Sequence, residues 1–159
     1  MTALELIRAF AHDTAVGIVV TEVTIDPPGP IILYANPVFS RLVGRDLDQI
    51  IGQSPRFMQG KETREETLDI FHRALAGGKR FHGYLTNYRG DGTKYRAEID
   101  CRPLCDTTGW IEGFVAFERE VIRRVGRPAS GAAGRYEPVG ESSDPLAGIL
   151  QALSVFGEA

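Results

Sequence analysis

A chain of 159 residues with 43% apolar side chains suits one domain of roughly 100–150 residues plus flanking segments. Its 18 basic and 21 acidic residues are interspersed and leave a net charge of −3, which gives neither a basic stripe for nucleic acid nor a polybasic patch for a membrane surface. No apolar run approaches the ~18 residues of a membrane span, the N-terminus lacks a charged-then-apolar leader pattern, and cysteines number two, so a reduced, cytoplasmic protein is expected.

Residues 2–13 read as an amphipathic helix, with Leu4, Ile7, Phe10 and Ala11 on one side and Glu5, Arg8 and Asp13 elsewhere. Residues 17–21 (GIVVT) form a short β-branched strand, and residues 31–34 (IILY) the returning one. Between them, residues 26–30 (DPPGP) make a turn with little freedom. Asn36-Pro37 then starts a helical turn carrying Phe39, Leu42 and Val43, closed by Gly44. Asp46 caps another, with Leu47, Ile50 and Ile51 on its buried side.

The stretch Gly52-Gln53-Ser54-Pro55-Arg56-Phe57-Met58-Gln59-Gly60 follows directly. Ser54 has the hydroxyl of an N-cap, and Pro55 suits the first helical position, where a missing N–H costs nothing. A turn this short is not stable alone, so it must be held against another surface. Three brief capped helices in succession imply a folded-over arm rather than a bundle.

A longer helix is predicted over residues 64–76. Thr63 and Glu66 have the spacing of a capping box, Leu68, Phe71, Ala74 and Leu75 form its apolar face, and Gly77-Gly78 ends it. Three strands follow over 81–89, 93–105 and 110–121, the first two joined by the hairpin signal Gly90-Asp91-Gly92. Within the middle strand Tyr95, Ala97, Ile99 and Cys101 alternate with Lys94, Arg96, Glu98, Asp100 and Arg102, so one face is buried and one is wet. By the same period Leu85 and Asn87 share a face. Phe114, Ala116 and Glu118 share another, backed by apolar Val115 and Phe117, so both sides of the last strand need cover. The N-terminal helix or a second subunit is the natural cover. Cys101 and Cys105 sit roughly 13 Å apart in an extended strand, too far for a disulfide without a bend.

Residues 125–143 lack periodicity and are rich in Gly, Ala, Pro and Ser, the composition of a flexible linker. A final helix over 144–159 carries Leu146, Ile149, Leu150, Leu153 and Phe156 in one stripe that needs a partner. The expected organisation is therefore a flanking helix (1–14), a domain (15–124), a linker (125–143) and an amphipathic helix (144–159).

Asn36-Pro37-x-Phe39, then Gly52-x-x-x-Arg56-Phe57-Met58-Gln59-Gly60, then Asn87-Tyr88-Arg89-x-Asp91-Gly92, set in this order of elements, resemble the light-oxygen-voltage (LOV) type of PAS domain, a family of blue-light flavoprotein sensors. The resemblance covers residues 15–121. It implies an α+β PAS fold, a five-stranded antiparallel sheet cupping a ligand beneath a helical arm, with flanking helices at both ends. In that family the opening segment normally reads Gly-x-Asn-Cys-Arg-Phe-Leu-Gln-Gly, and its cysteine forms a photo-adduct with bound FMN. Here that position is Pro55, which has no nucleophile.

The resemblance makes Ser54, Arg56, Gln59, His72, Asn87, Ile99 and Glu118 the pocket-lining residues. Arg56 matches a phosphate-binding arginine, and Gln59 and Asn87 match flavin contacts. His72 replaces the second phosphate arginine, Ala97 replaces an asparagine that reads the flavin edge, and Glu118 replaces the glutamine whose amide flips during signalling. Gln49 and Gly90 stand where family members often carry a carboxylate–lysine pair. Each lost, well-matched hydrogen bond costs on the order of 1–3 kcal/mol when its partner is left unpaired, so weak or lost flavin binding is expected, with no obligatory cofactor.

Two readings of Glu118 are open. Pointing inward, it is a carboxylate beside Phe114 and Ala116, with a raised pKa that favours the neutral acid. Carried to the sheet edge, it pairs with Arg119 or Arg96. Arg56 likewise binds an anion or forms a surface ion pair, Asn87 lines the pocket or satisfies backbone groups, and His72 is solvated on a helix flank. His12 and His82 have no metal-ligand spacing with each other or with the cysteines. With no nucleophile–base pair or phosphate-binding glycine loop either, catalysis is not expected. The expected function is a sensory and dimerisation module without cysteinyl-flavin photochemistry. The alternative is a cysteine-less FMN sensor working by flavin photoreduction. Expected partners are a second copy, through the N-terminal helix, outer sheet face or C-terminal helix, and an effector protein.

Overall fold

The computed structural model describes residues 3–12, 14–125 and 135–139. Its element order is α1 (Ala3–Ala11), β1 (Gly17–Glu22), β2 (Ile32–Ala35), α2 (Pro37–Val43), α3 (Leu47–Ile50), a 3-10 turn (Pro55–Met58), α4 (Glu65–Ala76), β3 (Phe81–Tyr88), β4 (Lys94–Cys105), β5 (Ile111–Arg123) and β6 (Tyr136–Pro138). The strands form one antiparallel sheet in the order β2-β1-β5-β4-β3. The crossover from β2 to β3 is made by the helical arm and α4, which lie over one face of the sheet.

Register fixes which side chains share that inner face. Ile99 pairs with Glu118 and Cys101 with Ala116 across β4 and β5, and Phe81 pairs with Cys101 and Asn87 with Tyr95 across β3 and β4. The period-two reading of β4 holds: Tyr95, Ala97, Ile99 and Cys101 are all buried. With Val19, Leu85, Phe114, Phe39, Met58 and Leu75 they form the main core, between sheet and arm.

The outer face has its own core. Ile18, Val20, Leu104, Val115 and Phe117 pack against Ile7 and Ala11 of α1, so the N-terminal helix supplies the cover that the doubly apolar β5 requires. Phe10, expected on that buried side, is 46% exposed, because α1 meets the sheet along the narrower line of Leu4, Ile7 and Ala11. Further along the outer face, Glu98 accepts from Arg119 and from Tyr84, and Asp100 forms an ion pair with Arg80.

The arm begins and ends as its sequence suggests. Asn36 caps α2 by accepting from the Phe39 N–H, and Gly44 closes it at φ 64°, a left-handed conformation that favours glycine. In α3, the Gln49 side chain accepts from the Asp46 N–H. Ile50 is buried but Ile51 is 41% exposed, since the helix stops at Ile50 and the chain turns outward.

Two further expectations are revised. The N-cap of α4 is Arg64, without a side-chain cap bond. Thr63 instead accepts from the Gly60 N–H and donates to the Thr86 carbonyl, so it ties the arm to β3. Within the predicted linker, Tyr136–Pro138 form a sixth strand against Val121–Arg123 of β5, and the Tyr136 ring stacks on Tyr84 at 4.5 Å. The predicted helix over 144–159 lies outside the described residues.

Candidate functional site

The segment 52–60 needs a surface to face, and the structure places it over a cavity between arm and sheet. Ser54 accepts from the Arg56 N–H at 3.3 Å, and Pro55 takes the first position of the 3-10 turn. This turn, the proline-rich loop before β2, α4 and the inner sheet face enclose a cavity of about 720 Å³ counting its open mouth, so the core is not filled.

The walls are mostly apolar: Val19, Leu85 and Ile99 from the sheet face Leu68, Phe71 and Leu75 from α4. Of the residues expected to line a pocket, Ser54, Arg56, Gln59, His72, Asn87, Ile99 and Glu118 all do, and so does Pro55. Ala97 does not. It is fully buried in the core beside the cavity, paired across the sheet with Leu85 and Glu120.

Glu118 is the distinctive group. It is 4% exposed and its Oε1 has no hydrogen-bond partner. Burial raises its pKa to about 8, so at neutral pH it is predominantly the neutral acid, able to donate as well as accept. The sheet-edge reading is overturned: Arg119 bonds Glu98, and Arg96 bonds Thr86 and Tyr136. Asn87, 3% exposed, reaches the same cavity from β3.

The cationic end is differently arranged. Arg56 donates from Nε to the Gly29 carbonyl at 3.2 Å and from Nη2 to the Ile25 carbonyl at 2.9 Å, rather than forming a surface ion pair. His72 is half-buried rather than solvated, and its pKa is lowered, first by burial and then by the nearby Arg56 charge, against an opposing pull from Asp69. A lowered imidazole is neutral at pH 7.

Several wall residues carry no site signal in the sequence. Cys101, on the buried face of β4, lines the cavity. Burial pushes its thiol strongly up, reinforced by Glu118 and Asp100, so it is an unreactive thiol. Ile25 and Pro30 bring the β1–β2 loop to the mouth, and the only sequence signal for that was the loop's proline-imposed stiffness. Among the described residues no cluster of three metal-ligating side chains occurs, and no helix is long and apolar enough to cross a membrane.

A sheet cupping a cavity beneath a short-helix arm defines the PAS class, and the family described as PAS domain matches residues 16–121. The chain belongs to that family. It is of the light-oxygen-voltage type: it is 32% identical to the blue-light photoreceptor Aureochrome1 LOV domain in its light state, with a TM-score of 0.63, covering 74% of this chain and 89% of that one. An RNA-binding Light-Oxygen-Voltage receptor gives a TM-score of 0.65 at 28% identity, covering 73% of this chain and 32% of that one. Curated relatives include the bacterioopsin transcriptional activator of Halobacterium salinarum, 32% identical over 71% of this chain and 16% of the relative. A blue-light-activated histidine kinase of Brucella anthropi is 31% identical over 64% of this chain and 20% of the relative. The chain thus spans a fifth or less of these curated relatives.

Proposed function

We propose that this LOV-type PAS sensory module signals through a small molecule bound non-covalently in the cavity, without cysteinyl-flavin photochemistry, and with FMN affinity weakened relative to its family. The observation that carries this reading is Pro55 lining the cavity at the position the family gives its reactive cysteine. Proline offers neither nucleophile nor proton, and the Cys101 thiol on the floor is held in its protonated, unreactive form.

FMN is the group the family implies, and the two ends of the cavity suit it unequally. At the ring end, Gln59, Asn87 and a carboxyl oxygen without a partner face apolar walls that favour a flat heteroaromatic. At the phosphate end, the arginine already bonds two carbonyls and the histidine is neutral. When bound, a flavin would supply light absorption. The chain's own part is to orient it through Gln59, Asn87 and Glu118 and to exclude water with the lid. An output through the sheet to α1 and the C-terminal extension, in a homodimer acting on an effector in the cytoplasm, completes the reading. A purified sample carrying FMN in equal ratio, released only on denaturation, would contradict the weakened affinity.

The second reading, a cysteine-less FMN sensor acting by flavin photoreduction, is favoured by Gln59 and Asn87 lining the same cavity. A protein that stays colourless after refolding with excess FMN excludes it.

A further inference from the structure

We propose that the cavity takes an uncharged, phosphate-free planar heteroaromatic that hydrogen-bonds to the Glu118 carboxyl, with Arg56 serving the protein's own loop instead of a ligand anion. This rests on the reading of the cavity as a sensory ligand site and names the class of ligand it selects.

A phosphate monoester brings about −1.5 to −2 charges and needs a cation with donors free to meet it. Among the described residues lining the cavity, Arg56 and His72 are the ones able to carry positive charge. The Nε–Nη2 edge of Arg56, one of the two edges that grip an oxyanion, is taken by Gly29 and Ile25. Those carbonyls belong to a loop in which Pro27, Pro28 and Pro30 lack an N–H, so few local donors replace the guanidinium if it swings away. Ser54 adds a long donation of 3.5 Å to the same Gly29 carbonyl. The loop, Ser54 and Arg56 are thus one closed hydrogen-bonded unit at the mouth. His72, neutral through burial and the Arg56 charge, adds no countercharge.

The deep end asks for a partner. Glu118 Oε1 is buried, without a bond, and faces the cavity beside Phe114 and Ala116. A buried polar atom left without a partner is costly, and a heteroatom on a flat ring between the sheet wall and Phe71 would satisfy it. A negative charge placed in a cavity that keeps its own carboxyl neutral is disfavoured.

Riboflavin and FMN differ by the phosphate alone, so titrating each into the full chain and following flavin fluorescence isolates the phosphate's contribution. The expected result is a riboflavin Kd within about threefold of the FMN Kd, or below it, with neither responding to added salt. Glu118→Ala is expected to weaken riboflavin by about tenfold or more, and Arg56→Lys to leave the ratio of the two Kd values unchanged. FMN binding about tenfold or more tighter than riboflavin, in a salt-dependent manner, would overturn the proposal. So would failure of both flavins to bind, which leaves the adduct-free sensory reading standing. A light-driven covalent bond to flavin would overturn that reading instead, without touching the phosphate comparison.

Discussion

The side-chain amide of Asn36 donates to the hydroxyl of Thr14 at 3.0 Å, joining the helical arm to the end of α1. The same amide reaches the Ala11 and Val16 carbonyls at 2.9 Å, while its oxygen accepts from the Ile18 and Phe39 N–H groups. One fully buried side chain therefore fastens α1, β1 and α2 together. Asn36→Ala leaves several of these groups unpaired in the core and is expected to cost about 2–4 kcal/mol. Urea unfolding measures it; a loss below about 1 kcal/mol would mean that water or backbone shifts replace the bonds.

Glu118 makes stability depend on pH. Its ordinary value near 4.5 is raised to about 8 in the folded chain, so the folded state holds a proton that the unfolded state has released. The carboxyl's contribution is fully present below pH 4.5 and declines as pH rises to about 8, where it levels off. Glu118→Gln keeps a donor and an acceptor but removes the titration. Thermal melts across this range should show a steeper decline for the parent than for the variant. Parallel curves would place the carboxyl in contact with solvent.

Tyr136 anchors β6 across the outer face. Its hydroxyl accepts from Arg96 Nη2 at 3.0 Å, and its ring stacks on Tyr84. Removing a stacked ring together with a charge-assisted acceptor, Tyr136→Ala should lower stability by about 1–3 kcal/mol. Amide exchange at Val121 and Arg123, which lie in the segment of β5 that β6 pairs with, should accelerate. Unchanged exchange there would show that β6 stays paired without its aromatic anchor.

Much of the architecture is legible because it rests on short-range rules. The alternation of Tyr95, Ala97, Ile99 and Cys101 identifies the buried face of β4, and Gly44 and Gly78, both left-handed, mark helix ends by conformation. Glu118 reads as inward by the same period, although its lack of a pairing partner required the positions of Arg96 and Arg119. What stayed hidden depends on contacts distant in sequence. Thr63 has a capping hydroxyl by spacing, but Gly60 and Thr86 compete for it and win. The three residues of β6 carry no pattern in a Gly- and Pro-rich stretch, and form a strand because β5 extends past β1 and offers them an edge. Arg56 matches a phosphate ligand in sequence, while its partners are carbonyls some 27 and 31 residues earlier.

The most direct test of the adduct-free assignment is the absorption spectrum of the protein with saturating FMN, recorded before, during and after blue light. With Pro55 in place of a thiol, the flavin band should show no reversible loss of the kind a sulfur–flavin bond produces, and denaturation should release all flavin unmodified. Reversible bleaching in the parent that disappears in Cys101→Ala would contradict the assignment and make the cavity-floor thiol the reacting group.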